Sequence, residues 1–166
     1  MSESQHYLIA LGSNQRLPDM GGPRAVVDAA FDALDADAGD VLARSRIISS
    51  APVGPSLRRY ANAAAVVESA LEPGAMLAVL QRIEADFGRE RRGQRWRSRT
   101  LDLDIVLWSG GIHAAPGLAI PHPLFREREF VLCPARAIAP RWRDPVTGLS
   151  LRQLHARLTR PRPVPR

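Results

Sequence analysis

Two aspartates, Asp102 and Asp104, stand two residues apart in the segment RTLDLDIVLW. In a strand, side chains at positions i and i+2 point to the same face, so these two carboxylates would lie side by side. The intervening apolar residues, which would face the core, are Leu101, Leu103, Ile105 and Leu107. Neighbouring carboxylates repel unless a cation neutralises them, and oxygen ligands without His or Cys suit Mg²⁺ bound together with substrate phosphates. The pair therefore predicts a phosphoryl-transfer site, although a half-exposed strand with two Asp on its polar face has the same pattern.

An arginine-rich stretch, GRERRGQRWRSR, comes directly before this segment. Its six arginines, which surround Trp96, are Arg89, Arg91, Arg92, Arg95, Arg97 and Arg99. A guanidinium donates hydrogen bonds in a fork that matches phosphate oxygens, and it stabilises the charge of a phosphoryl group during transfer. Beside a carboxylate pair, such a loop is typical of a polyphosphate clamp. The alternatives are a solvated loop and a nucleic-acid patch in which Trp96 stacks on a base.

The chain contains no lysine, since all 23 basic residues are Arg. It therefore cannot carry the lysine of a Walker A motif or the strand lysine of protein kinases. Any ATP would have to be held by arginines, metal and backbone groups. Genome composition alone can produce this arginine bias. The net charge of +6 and the pI near 11 are thus weak grounds for expecting a polyanionic partner.

Three polar side chains near these segments are further candidates. Gln81 and Glu84 lie one turn apart on a predicted helix, and therefore on one face, directly before the arginine-rich stretch. His122 stands between prolines in IPHP, where a fixed backbone could aim its imidazole at a phosphate. Taken singly, such residues are more often merely solvated at the surface.

Two aromatic residues, Tyr60 and Phe130, are candidates for stacking on the two faces of a planar heterocycle. Asn62 follows Tyr60 by two residues, so it would share a strand face with it and could pair with the edge of such a ring. The alternative is that both aromatics belong to the core.

The elements that must position these residues follow from periodicity and turn signals. The predicted strands and helices, in chain order, are strand His6–Leu11, helix Pro23–Ala36, strands Val41–Ser50 and Ala61–Ala70, helix Pro73–Phe87, strand Leu101–Trp108 and a short helix Phe130–Ala139. The order β-α-β-β-α-β is the ferredoxin-like arrangement. We therefore expect an α+β fold, with an antiparallel sheet covered on one face by two helices.

Length and composition indicate one domain over residues 1–158, followed by a Pro/Arg-rich tail, 159–166, which we expect to be disordered. No apolar run approaches the ~20 residues needed to cross a bilayer, and the first residues lack the pattern of an export signal. Cys133 is the only cysteine, which excludes an internal disulfide. These features favour a cytoplasmic protein.

Several segments, in this order, carry a resemblance to a known family: YLIALGSN, YANAA, QRIEADFGR, RWRSRTLDLDIVLW, and IPHP followed by EREFVL. Together they resemble 6-hydroxymethyl-7,8-dihydropterin pyrophosphokinase, from about Tyr7 to Leu154. The resemblance implies a ferredoxin-like fold and transfer of pyrophosphate from ATP to the hydroxymethyl group of the pterin, with release of AMP, in folate biosynthesis.

The resemblance also assigns roles to single residues. Asp102 and Asp104 match ligands of two Mg²⁺ ions, and Arg89, Arg92 and Arg99 match phosphate-contacting positions, with Arg89 and Arg99 counted as catalytic together with the aspartates. Arg95 and Trp96 match loop residues that close over both ligands. The positions that match the nucleotide site are Gln81, Glu84, Ile105, His122 and Arg128. Those that match the pterin pocket are Tyr60, Asn62, Trp96, Asp102 and Phe130, joined by Ser50 and Val53 through their backbones.

The chain departs from the family pattern in four places. Arg97 and Ser98 replace a usual Gly-Pro, and Ala119 stands where Thr is common. Leu124 and Arg126 also differ from the residues expected after IPHP. The departures at Arg97, Ser98 and Ala119 bear on loop closure and on affinity for the adenine side of ATP, whereas those at Leu124 and Arg126 indicate tuning of the site.

Two rival functions fit parts of the pattern. One is a nucleic-acid-binding ferredoxin-like module, which the pI favours but which lacks an aromatic RNA-binding strand. The other is a nucleotidyl or glycosyl transferase with the same D-x-D pair, which would release a different product. We expect a monomer that takes ATP and pterin, with no membrane and no nucleic-acid partner.

Overall fold

The computed structural model of the protein describes residues 3–50, 59–88 and 100–165. The elements, in chain order, are β1 (Gln5–Ser13), α1 (Pro23–Asp37), β2 (Asp40–Arg44), β3 (Ile48–Ser50), β4 (Tyr60–Ser69), α2 (Pro73–Gly88), β5 (Asp102–Trp108), β6 (His113–Ala115), β7 (Leu118–Ile120), a 3-10 helix (Phe125–Glu127), α3 (Glu129–Ile138) and α4 (Leu151–Thr159). The prediction of an α+β fold is confirmed. No helix among these residues is long and apolar enough to span a bilayer.

The main sheet is antiparallel throughout, and its strands run in the order β2-β4-β1-β5. The short strand β3 pairs with the first residues of β4, while β2 pairs with the last ones. This order is that of the ferredoxin-like arrangement, so the topology predicted from element order holds. Strand β1 lies in the interior of the sheet, and its end at Gly12 and Ser13 is flanked by the start of β4 and the start of β5.

The predicted strand Val41–Ser50 is wrong as a single element, because the chain leaves the sheet after Arg44 and returns at Ile48. Ser45 explains the break. Its buried hydroxyl accepts a hydrogen bond from the Ala64 amide at 2.8 Å, and its own amide donates to the Ala64 carbonyl at 2.9 Å. The hydroxyl of Ser45 thus takes the place of a backbone carbonyl as the acceptor for the Ala64 amide. The backbone groups of Ala64 therefore stay paired although the chain leaves the sheet between β2 and β3.

Helices cover both faces of the sheet, whereas the sequence predicted cover on one. On the first face, α1 and α2 bury the alternating residues Tyr7, Ile9 and Leu11 of β1. On the second face, α3 and α4 form a separate apolar cluster with residues that include Leu8 and Ala64. The extra cover comes from α3, which contacts β1, β3 and β4, and from α4, which packs on α3 and which the sequence pattern did not reveal. The second face is the one that carries the site described below.

Leu107 was expected on the same face as Leu101, Leu103 and Ile105, and this is wrong. The register between β1 and β5 shifts, since Leu8 pairs with Leu107 but the next residue, Ile9, pairs with Ile105. Val106 is therefore the extra residue of a bulge. Leu107 consequently lies in the second-face cluster, while Ile105 stays in the first.

Gly39, between α1 and β2, gives a test of the fold. Its φ is +153°, and a Cβ at this position would lie 2.1 Å from the carbonyl oxygen of Glu68. We expect Gly39→Ala to lower the free energy of unfolding by more than about 2 kcal/mol, because the obstacle is backbone and cannot move aside. Gly74→Ala is the control: no atom lies within 4 Å of its Cβ position in α2. Urea denaturation that shows equal stability for the two variants would contradict this account.

Candidate active site

The second face of the sheet opens into a cavity of about 410 Å³ beside the N-terminus of α3. Strands β1, β3, β4 and β5 form its floor, and residues at the start of α3 form its wall. The residues that line it are Ala10, Leu11, Gly12, Ser50, Tyr60, Asn62, Asp102, Asp104, Arg128, Phe130 and Val131. Seven of the predicted site residues therefore meet in one concave surface, although they come from four different elements: β3, β4, β5 and the start of α3.

The carboxylate pair lies at one end of this floor. Asp102 pairs with Gly12 and Asp104 with Ala10, which confirms that the two side chains occupy alternate positions on one face of β5. Asp104 is exposed and Asp102 is half-buried. Their apolar neighbours, Leu103 and Ile105, are buried on the opposite face. The alternation predicted from the sequence thus presents both carboxylates to the cavity.

This donor set fits a magnesium ion. Among residues 3–50, 59–88 and 100–165, no three His, Cys, Asp or Glu side chains lie close enough together to hold a metal by themselves. A cation here would thus take two carboxylates from the protein and complete its shell with other oxygens. Mg²⁺ is bound in this way in phosphoryl-transfer sites, by one or two carboxylates with waters and substrate phosphates.

Gly12 lies between the carboxylates and the polar end of the cavity. In the register of the sheet, Gly12 pairs with Asp102 on one side and with Asn62 on the other. A Cβ on Gly12 would lie 3.2 Å from Oδ1 of Asn62. The missing side chain therefore leaves the floor open between the acidic and the amide ends. The sequence alone does not single out Gly12, because its role follows from the register of the strands.

Asn62 is held in a defined orientation. Its side chain is 5 % exposed, and its Nδ2 donates a hydrogen bond to Oγ of Ser50 at 2.7 Å. Its Oδ1 then faces the space above Gly12. An amide oxygen in this position can accept a hydrogen bond from an N–H group on the edge of a bound ring. Ser50 was predicted to act through its backbone, but the structure also engages its hydroxyl.

The two aromatic candidates line the cavity from different elements. Tyr60 comes from the first residue of β4, while Phe130 comes from the first turn of α3. Both are half-buried and line the cavity. Phe130 also packs against the side chain of Arg128, whose guanidinium carbon lies 5.7 Å from the ring centroid. This arrangement gives a flat ring two aromatic surfaces from different elements.

His122 and Arg128 lie close to the acidic end. The His122 amide donates to the carbonyl of Val106 in β5 at 3.0 Å, which fixes the IPHP turn against the edge strand. Its Nδ1 accepts a hydrogen bond from the Leu124 amide at 3.2 Å. A ligand would therefore be contacted through the other ring nitrogen, Nε2. Burial lowers the pKa of His122; Asp104 raises it and Arg128 lowers it further. These three groups are therefore electrostatic neighbours.

The remaining predicted nucleotide residues lie outside the cavity lining. Gln81 is exposed and Glu84 half-buried on α2, which packs on the first face. The side chain of Ile105 is 4 % exposed in the first-face core, so only its backbone is available to a ligand on the second face. The predicted residues that fall outside the described part of the chain are Val53, Arg89, Arg92, Arg95, Trp96 and Arg99.

A buried ion pair anchors the segment that carries Arg128 and Phe130. Nε and Nη2 of Arg126 donate to the two carboxylate oxygens of Asp144 at 2.6 and 2.8 Å, and the guanidinium stacks on the Phe125 ring at 4.7 Å. Asp144 is fully buried and also accepts from the amide of Val146. Arg126, a departure from the family pattern, thus ties the cavity wall to the segment before α4.

Comparison with known proteins shows the family of the chain. The profile of the family described as 7,8-dihydro-6-hydroxymethylpterin-pyrophosphokinase matches residues 8–140. A Pseudomonas aeruginosa protein named 2-amino-4-hydroxy-6-hydroxymethyldihydropteridine pyrophosphokinase is 38% identical over 143 residues, which cover 85% of each chain. A protein of the same name from Haemophilus influenzae is 40% identical over 133 residues, 79% of each chain. The chain belongs to the 7,8-dihydro-6-hydroxymethylpterin-pyrophosphokinase family.

Proposed function

We propose that this protein transfers pyrophosphate from ATP to the hydroxymethyl group of 6-hydroxymethyl-7,8-dihydropterin, and that it does so in the cavity on the second face of the sheet. In this reaction the hydroxymethyl oxygen bonds to the β-phosphorus of ATP. The bond between that phosphorus and the bridging oxygen of the α-phosphate breaks, so AMP leaves and the hydroxyl proton is lost. The reaction is a step in folate biosynthesis.

One observation carries the proposal: a single cavity joins a carboxylate pair to an amide and two aromatic rings. The carboxylates of Asp102 and Asp104 suit the Mg²⁺ that accompanies a polyphosphate. At the other end, Asn62 can accept a hydrogen bond from an N–H group on the edge of a pterin. Tyr60 and Phe130 can stack on the faces of the pterin ring. Gly12, between the two ends, leaves space for the hydroxymethyl group to approach the phosphates.

The protein's own contribution is mainly positioning. Ring stacking and the Asn62 hydrogen bond fix the pterin in the cavity. The carboxylates, through the cations that they would hold, position the phosphates of ATP. Two Mg²⁺ ions, held by Asp102 and Asp104, would supply charge neutralisation on the transferring group. We propose that Arg128 and His122, with the arginines at 89, 92, 95 and 99 and with Trp96, contact the nucleotide. Aligning the two reactants in this way replaces a bimolecular encounter by an intramolecular step.

Product identity tests this function. Purified protein with ATP, Mg²⁺ and hydroxymethyldihydropterin should release AMP, and the label from β-labelled ATP should appear on the pterin. A nucleotidyl transferase would release pyrophosphate, and an ordinary kinase would release ADP. Finding either of those products in place of AMP would reject the proposed reaction.

Ser50 provides a test of the pterin end. Removal of its hydroxyl in Ser50→Ala leaves Nδ2 of the buried Asn62 without this partner, so the amide loses its fixed orientation. We expect the KM for the pterin to rise about 10-fold, the value of one hydrogen bond of roughly 1.4 kcal/mol. The KM for ATP should stay unchanged, and Ser50→Thr, which keeps a hydroxyl, should restore the pterin KM.

Ser49 is the matched control for this prediction. It is the preceding residue of β3, and it is exposed. Ser49→Ala should leave both KM values unchanged. Equal increases in the two KM values for Ser50→Ala would show a general structural effect and would contradict the assigned role.

We further propose that the protein works as a monomer in the cytoplasm. Its single cysteine, Cys133, suits a reducing compartment. The cavity is complete within one chain as far as residues 3–50, 59–88 and 100–165 define it. Sedimentation of an active dimer in place of a monomer would contradict the proposed state.

A further inference from the structure

The charge of the chain is unevenly distributed. Residues 1–135 hold 15 arginines and 16 acidic residues, whereas residues 136–166 hold eight arginines and one acidic residue. The whole positive excess of the protein therefore lies in its last 31 residues. The arginine-rich stretch before β5 does not contribute to this excess, because acids elsewhere in the first 135 residues balance it. An arginine bias of the genome explains why the basic residues are Arg but does not explain their position.

The arginines among residues 136–165 lie on the surface. We define the C-terminal arginine surface by six residues that are all exposed: Arg141, Arg143, Arg152, Arg157, Arg160 and Arg162. The one acid of this region, Asp144, is fully buried and is bound by Arg126. It is thus not available to neutralise the surface.

An open groove of about 660 Å³ lies within this surface. The segment before α4 supplies Arg141 and Arg143, and the first turn of α4 supplies Arg152. Arg143 is held in place, since its Nη1 donates to the carbonyl of Gly148 at 2.7 Å. The N-terminus of α4 is already capped by Ser150 and Gln153, so the attraction for anions comes from the guanidinium groups.

The groove has no large apolar side chain of the kind that a protein partner or a membrane would use, since the described residues that line it are Pro140, Arg141, Arg143, Ser150, Arg152, Gln153 and Ala156. Leu151 and Leu154 of α4 are buried in the second-face cluster, whereas Leu158 is exposed but does not line the groove. Protein interfaces depend on buried apolar and aromatic anchors, and interfacial helices insert an apolar face into lipid. Charge alone is sufficient for a nucleic-acid backbone, whose regularly spaced phosphates match guanidinium forks and release counterions on binding.

We propose that the C-terminal arginine surface binds the phosphate backbone of nucleic acid without sequence specificity. This differs from the expectation of no nucleic-acid partner, which weighed the total charge and the arginine-rich stretch before β5 but not the arginines near the C-terminus. The surface shares no lining residue with the catalytic cavity, and α4 packs on α3 and the 3-10 helix. Binding of nucleic acid is therefore separate from the transferase reaction.

Fluorescence anisotropy with labelled single-stranded DNA and RNA tests the proposal on the full chain. The affinity should fall about 50-fold between about 50 mM and about 200 mM salt, as expected for roughly four phosphate contacts. The triple variant Arg141→Gln, Arg152→Gln, Arg157→Gln should bind at least about 10-fold more weakly and show a shallower salt dependence. Its AMP-forming activity should equal that of the wild type.

A matched variant removes the same charge elsewhere. Arg24, Arg46 and Arg82 are exposed and lie outside the C-terminal region. Changing these three to Gln should leave nucleic-acid affinity nearly unchanged. The proposal is overturned by absence of binding at low salt, by equal losses in the two triple variants, or by wild-type affinity of the first. Binding to vesicles of anionic lipid, with none to either oligonucleotide, would also overturn it and assign the surface to membranes.

Discussion

Replacing Asp102 or Asp104 by Asn is expected to lower the rate of AMP formation by at least about 10³-fold, the effect of losing roughly 4 kcal/mol of transition-state stabilisation. Both side chains line the cavity from one face of β5. Asn keeps the shape of each side chain but removes the charge that binds the cation. The amount of Mg²⁺ needed for half-maximal activity should rise at least about 10-fold, which a purely structural residue would not cause.

The fold should survive these changes, since Asp104 is exposed and Asp102 half-buried. Asp40 is a suitable control because it is an exposed carboxylate on a strand of the same sheet, away from the cavity. Its partner in the sheet is Glu68, and Glu68 pairs with His6, which lies at the opposite end of β1 from Gly12. Asp40→Asn should keep full activity. Retention of more than about a tenth of the wild-type rate by both cavity variants would remove the carboxylate pair from the mechanism.

The second large effect concerns stability and the buried ion pair of Arg126 and Asp144. Asp144→Ala leaves the guanidinium of Arg126, whose side chain is 27% exposed, without its partner. We expect the free energy of unfolding to fall by about 3–5 kcal/mol, as for other buried pairs that lose one member. Asp32→Ala breaks a pair whose side chains are 42% and 76% exposed, and should cost less than about 1 kcal/mol. Chemical denaturation measures the free energy of unfolding of both variants, and equal losses in the two would contradict the prediction.

The same ion pair makes the free energy of unfolding depend on pH in the acid range. Burial alone would raise the pKa of Asp144, but hydrogen bonds from Arg126, Thr147 and the Val146 amide outweigh it and lower the pKa from 3.8 to about 2. The unfolded chain therefore takes up the proton first as the pH falls. The stabilisation, about 2 kcal/mol, is fully present above pH 3.8 and is lost as the pH falls toward 2. Asp144→Asn should flatten this part of the stability curve, and an unchanged curve would contradict the assigned pair.

The sequence was sufficient for the position of the acidic end of the site. An alternation of two Asp with buried apolar residues constrains a strand locally, so the shared face of Asp102 and Asp104 could be predicted without the rest of the fold. The ferredoxin-like topology likewise followed from the order of clearly periodic elements. In both cases the information lies in short, contiguous segments.

The sequence was not sufficient for features that depend on pairing between distant residues. The bulge at Val106 is invisible because Leu107 continues the apolar alternation, and only the register against β1 reveals it. Gly12 gains its role from Asp102 and Asn62, which lie in other strands. The bond between Ser50 and Asn62 spans 12 residues and depends on the pairing of β3 with β4. Register is a property of the folded sheet, and periodicity in one strand does not specify it.

Anomalous X-ray diffraction from crystals grown with Mn²⁺, a non-hydrolysable ATP analogue and the pterin would test the central claim most directly. The account predicts manganese peaks within coordination distance of the carboxylates of Asp102 and Asp104, with the pterin ring between Tyr60 and Phe130. Manganese bound away from this pair, or a pterin bound outside the cavity on the second face of the sheet, would contradict it.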